Sequence, residues 1–133
     1  MRELKFRAWD ERLKKMLYGD NGDFDGIDED GIIILEHEDD GDRITERWIT
    51  KDMELMQFTG FKDKNGKEIY EGDIFEKNGL IQHVHWNRLN ASFYLQPRHL
   101  TKNFDDKIGR YGFDEIELFK IIGNIYENKE LMK

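Results

Sequence analysis

Apolar and polar positions alternate along this chain in short stretches, and no long segment repeats at helical spacing. Near the start, Leu4, Phe6 and Ala8 fall on one side of an extended segment, with Lys5, Arg7 and Trp9 on the other. Asp10 and Glu11 break the pattern, and Lys15–Tyr18 returns as a partner strand. Ile32–Leu35 is a short β-branched run that favours a strand over a helix. The turn signal Asp39-Asp40-Gly41-Asp42 follows, and Arg43–Thr50 pairs back, with Ile44, Glu46 and Trp48 alternating against Thr45, Arg47 and Ile49.

The middle of the chain carries two further turn signals. Asn65-Gly66 suits the two central places of a type I′ turn, because both need φ > 0. Lys67–Tyr70 leaves that turn as a strand, Gly72 allows a corner, and Asp73–Glu76 begins the next strand. Asn78-Gly79 predicts another hairpin, leading into Leu80–Trp86. Ala91–Leu95 forms a further strand, which Pro97 stops. Residues 98–112 read as a polar loop, and Asp114–Leu118 as one helical turn. Lys120–Tyr126 is a closing strand, and Asn128 caps a short helix over Lys129–Met132.

Closely spaced short strands with Gly-containing turns give the fold class: mainly β, a β-rich α+β chain. The expected form is a small, strongly bent antiparallel sheet or barrel-like domain, with an N-terminal hairpin and a short C-terminal helix. The expected division is 1–54, holding the N-terminal hairpin and an acidic hairpin region, and 55–133, the barrel-like part. The two can also form one continuous domain.

Composition alters this picture at two points. Aliphatic residues are few, but nine Phe, five Tyr and three Trp supply a core. There is no Cys, which removes disulfides, thiolate metal sites and thiol nucleophiles. No apolar run approaches the roughly 20 residues of a membrane-spanning helix, and the charged start has no leader-like apolar stretch. A cytoplasmic location is the expectation.

Charge is unevenly placed. Residues 1–19 hold six Lys/Arg and three Asp/Glu, a balance of +3, while residues 20–42 hold eleven Asp/Glu and no Lys/Arg, a balance of −11. The basic start is expected to meet the acidic segment, in this chain or in a neighbouring copy. The net charge of −8 opposes steering toward nucleic acid.

Chemical motifs are sparse. Neither GxxxxGK[ST] nor GxGxxG occurs, and Ser92, the single Ser, sits in a strand pattern without a nucleophile elbow. Asn21, Asp23, Asp25 and Gly26 imitate the start of a calcium loop, but Ile32 stands where a bidentate Glu is required. His83 and His85 share one face of a strand, a spacing zinc can use, yet two ligands do not complete a site. The acids and glycines around Glu71 and Asp73 read more simply as turn chemistry than as a ligand cradle.

Four stretches together resemble the YopX-like proteins of phages and prophages: KFRAWD near the start, LMQFTGFKDKNGKEIYEGDIF in the middle, the pair Val84 and Trp86, and IIGNIYEN near the end. The resemblance covers roughly residues 4–18, 55–86 and 118–130. Phe61 stands where Leu is usual and Lys129 where Pro is common. The resemblance implies a small β-rich phage protein and carries over no catalytic residue.

The expectation is therefore a YopX-like phage or prophage accessory protein, non-enzymatic, acting through protein–protein contacts or self-assembly. No cofactor and no metal are expected. A homo-oligomer, or a host or phage protein partner, is expected; nucleic acid and membrane are not. The candidate contact residues are Trp9, Trp48, Glu71, Asp73, Trp86 and Tyr126. Two rival readings are a metal-dependent hydrolase or nuclease using Glu71, Asp73, His83 and His85, and an acidic DNA mimic built on residues 20–42.

Overall fold

A computed structural model describes residues 3–30, 32–48, 52–77, 79–87, 91–98 and 113–133. The chain is mainly β, with short 3-10 turns and no long helix among the described residues. It divides into two compact units, Leu4–Gln57 and Phe58–Lys133.

In the first unit, β1 (Phe6–Asp10) pairs antiparallel with β2 (Lys15–Tyr18), in the register Ala8↔Leu17 and Asp10↔Lys15. On its other side β1 pairs with the first half of β6 (Met53–Lys62), with Ala8 opposite Leu55. This sheet curls strongly, toward a half-barrel. The sequence pattern gave β1 one buried face, but its central place buries both. Arg7 and Trp9 are buried along with Ala8. Strand β6 holds Gly60, with φ +92°, in the stretch where its register with β7 shifts, and is the element the pattern left undelineated.

A second sheet in this unit runs in the order β3-β4-β5: β3 (Gly26–Ile27), β4 (Ile33–Asp39) and β5 (Asp42–Trp48). The β4–β5 hairpin turns through Asp40 and Gly41, with φ +50° and +84°. A two-residue hairpin loop with both central φ positive is the type I′ geometry, and Asp-Gly is a favoured pair for it. The core of this unit gathers Ala8, Leu17, Phe24, Ile33 and Met53.

The second unit holds β7 (Glu68–Tyr70), paired with the latter half of β6, and the sheet β10-β9-β8-β11. Its strands are β8 (Asp73–Lys77), β9 (Leu80–Asn87), β10 (Ser92–Pro97) and β11 (Ile121–Asn124). The expected helical turn is a 3-10 segment, Phe113–Leu118, and its Ile116 joins Ile69, Phe75, Val84, Leu95 and Ile121 in the core. Asn78 and residues 99–112, read above as a turn residue and most of a loop, lie outside the described residues.

Gln82 is an exception within this core. It is fully buried between Phe75 and Pro97 in register, and neither amide atom has a hydrogen-bond partner among the described residues. An unpaired buried amide costs on the order of 1–3 kcal/mol. Gln82→Met, close in shape, is expected to raise stability by about 1 kcal/mol in urea unfolding. A loss of that size instead would show that the amide has a structural partner.

Candidate functional site

The central motif centres on Asp63. Its side chain is buried and acts only as an acceptor. Oδ1 takes the amides of Asn65 and Lys67, each at 2.9 Å, and Oδ2 takes the amide of Ile121 at 3.0 Å. One carboxylate thus organises the turn and ties it to β11. Burial alone raises its pKa, but these three bonds and the Lys67 charge outweigh burial and hold it below the ordinary value.

The same carboxylate corrects the turn type. Gly66 has φ +81°, whereas Asn65 does not have positive φ. The Gly66 amide donates to the Asp63 carbonyl at 3.0 Å, and the Asp63 amide donates to the Lys67 carbonyl at 2.8 Å. Gly66 therefore ends a turn over 63–66 and is not the second central residue of a type I′ turn. The Asp63 side chain fixes the chain two and four residues ahead, and this local bond overrides the Asn-Gly preference.

The next turn repeats the device. Gly72 has φ +85°, and the buried Asp73 accepts the Tyr70 amide through Oδ2 at 2.8 Å. The Gly72 amide donates to Val84 and its carbonyl accepts from Ile125, which joins this corner to β9 and to the end of β11. Asp73 was a candidate contact residue. Its burial makes it a turn-holding acceptor instead. Glu71 beside it is half-buried.

At the chain's end, Asn124 Oδ1 accepts the amides of Tyr126 and Glu127, at 3.1 and 2.9 Å. Asn128 Oδ1 accepts the Asn124 amide at 3.1 Å. Asn128 precedes the 3-10 segment Lys129–Met132 but makes no side-chain cap to it. Its expected capping role is thus replaced by a bond back to Asn124. Tyr126, another candidate contact, is half-buried.

The remaining candidates separate. Trp9 is 4% exposed, and its indole N–H donates to Glu11 Oε2 at 2.8 Å, so it is a packing residue and not a surface contact. Trp48 ends β5, and its side chain lies outside what is described. Trp86 is 36% exposed and meets Phe93 edge-on, with ring centroids 4.8 Å apart. Leu80, on the same face of β9, is 40% exposed, and sequence reasoning did not select it. Its place directly after the Asn78-Gly79 turn signal gave no sign of exposure.

His83 and His85 do share a face, with ring centroids 5.9 Å apart, and His85 also meets Tyr94 edge-on at 5.5 Å. Burial, then the neighbouring His85 charge, lowers the His83 pKa. Glu71, Asp73, His83 and His85 do not converge: no group of three or more His, Asp or Glu fit to hold a metal occurs among the described residues.

Four carboxylates of 20–42, those of Asp23, Asp25, Asp28 and Glu36, make hydrogen bonds inside their own unit. Asp23 accepts the Tyr18 amide at 2.8 Å, and Asp25 accepts the Glu36 amide at 2.6 Å. Asp28 accepts the amides of Asp30 and Ile32 and pairs with Arg47, and the Ile32 bond and Arg47 lower its pKa. Arg43 pairs with Glu36. The pairing cations therefore come from β5. At the basic start, Arg12 and Lys14 turn to Asp10 and Glu11, and Arg7 is buried.

A mainly β protein whose signature Asp, Asn and Gly residues hold turns is the class these features define. The family model described as YopX protein matches residues 5–133, and the chain belongs to that family. It is similar to the crystal structure of protein EF1440 from Enterococcus faecalis, with 26% identity and a TM-score of 0.61 over 100% of both chains. None of the curated proteins matches the chain. No described helix is long and apolar enough to cross a membrane.

Proposed function

We propose that this chain is a phage or prophage accessory protein that acts in the cytoplasm by binding proteins, including copies of itself, and not by catalysis. One observation carries the reading: the polar signature residues are committed to backbone amides. Asp63, Asp73, Asn124 and Asn128 each accept main-chain donors, so their family pattern is explained by folding. A reacting carboxylate instead needs a cleft and a tuned proton affinity. Meanwhile Trp86 and Leu80 are partly exposed near opposite ends of β9, with buried Gln82 and Val84 between them, and exposed aromatics such as Trp86 are the usual anchors of protein interfaces.

Light scattering on the purified protein tests the reading. The wild type is expected to form a dimer or larger assembly, and Trp86→Glu is expected to shift it toward monomer by at least about tenfold in dissociation constant. A strict monomer that also retains no host protein on an affinity column counts against the proposal.

A further inference from the structure

We propose that a cleft in the Leu4–Gln57 unit binds an extended peptide carrying an apolar side chain next to lysine or arginine. The inference rests on the reading of the chain as a binding protein, and it names the chemistry of one partner. The cleft has a volume of about 380 Å³. Phe6, Phe24 and Ile27 give it an apolar lining, while Leu4 adds an exposed apolar side chain and Asp20, Asp25 and Lys5 add two acids and one cation. The volume suits one or two side chains, near the lower end of the roughly 300–1,000 Å³ typical of ligand pockets.

Three features point to this occupant. Leu4 is 71% exposed, although it lines an apolar cavity that could have buried it. Asp20 is exposed and has no hydrogen-bond or ion-pair partner among the described residues, unlike Asp23, Asp25 and Asp28 nearby. Its charge is free to meet a cation, and it lies in the segment of balance −11. Third, β3 is an edge strand that lines the cleft with Gly26 and Ile27. Gly26 has no positive φ, and a Cβ there would meet nothing within 4 Å. The fold itself therefore does not require glycine at 26. Bare backbone at 26 leaves room for a main chain to lie against that edge.

The apolar lining would take the hydrophobic side chain, Asp20 and Asp25 its basic neighbour, and the β3 edge the peptide backbone. Charge gives direction to this choice, since two carboxylates against the single Lys5 leave the lining net acidic and favour a basic neighbour over an acidic one.

Fluorescence anisotropy on the full chain tests this with a labelled, end-blocked octapeptide alternating Leu and Lys. Two control peptides replace Lys by Glu, or Leu by Ser. The Leu/Lys probe is expected to bind at least about tenfold more tightly than either control. Leu4→Asp and Gly26→Val are expected to weaken it at least about fivefold while thermal unfolding stays unchanged. Leu4→Asp adds negative charge, so mere ionic attraction would strengthen binding in that variant. Equal binding of the Ser/Lys peptide, unchanged affinity in both variants, or no binding of the Leu/Lys probe overturns the proposal. Trp86→Glu, on β9 of the other unit, is expected to leave probe binding intact. Failure here and failure of self-assembly are therefore read by separate experiments.

Discussion

Asp63→Ala is expected to cost about 2–4 kcal/mol in urea unfolding, a large share of the stability of a small protein. The substitution removes one small side chain but strands three amide donors, those of Asn65, Lys67 and Ile121. The buried Ile121 amide loses its charged acceptor at a cost of about 1–3 kcal/mol, the amides of the exposed Asn65 and Lys67 add less because water can reach them, and additivity is incomplete because all three share one partner. Asp63→Asn keeps one carbonyl oxygen and presents an N–H₂ group to the remaining donor or donors, so it should fall between. The pH dependence has a definite sign. Asp63 has a folded pKa below its ordinary value of 3.8, so the unfolded chain takes up its proton first as pH falls. Its contribution is complete well above that value and is lost as pH drops through the lowered folded pKa. The stability gap between wild type and Asp63→Asn should therefore be flat near neutrality and narrow only in acid. A gap that stays constant through the acid range would sink the assignment of a charged acceptor.

The turns show where sequence is enough and where it is not. Asp40-Gly41 is read correctly because both residues tolerate positive φ and both adopt it. Asn65-Gly66 carries a similar propensity signal but folds differently. The carboxylate two residues earlier captures the amides, and only Gly66 takes the left-handed conformation. Propensity counts the residues inside a turn; it omits an acceptor that reaches in from outside. β1 teaches a related lesson. Alternation assigns one wet face to a strand, but a strand paired on both sides within a curled sheet can bury Arg7 and Trp9 as well as Ala8.

The candidate contacts divide by the same physics. Trp86 is both large and exposed, as its strand pattern allowed. Trp9 and Asp73 are buried, since the indole has a partner in Glu11 and the carboxylate has one in the Tyr70 amide. Nothing in residue type alone separates a satisfied buried polar group from a waiting surface one. The cleft lined by Phe24 and Leu4 was equally out of reach, because it brings together residues from three separate stretches of chain.

Gly123→Ala carries the second large expected effect, about 2–3 kcal/mol of destabilisation. A Cβ at 123 would lie 2.5 Å from Asn128 Oδ1 and 2.7 Å from its Cγ. Contact that close forces a shift. Asn128 cannot swing away freely, because the same Oδ1 accepts the Asn124 amide and the Asn128 amide donates to the Asn124 carbonyl. Gly123 does not have positive φ, so backbone strain contributes nothing and the whole cost is steric. That makes a clean double-mutant cycle possible. Asn128→Ala alone should cost about 1 kcal/mol for the lost bond to Asn124. Adding Gly123→Ala to it should cost less than in the wild type, because the two closest contacts are gone and only the Cβ at 128, 3.0 Å away, still crowds the methyl. A coupling of at least about 1 kcal/mol is expected from chemical unfolding of the four proteins. Strict additivity would mean that the Gly-Asn-x-x-x-Asn pattern at 123–128 is held by something other than this packing, and its place in the family signature would need a reason outside the fold.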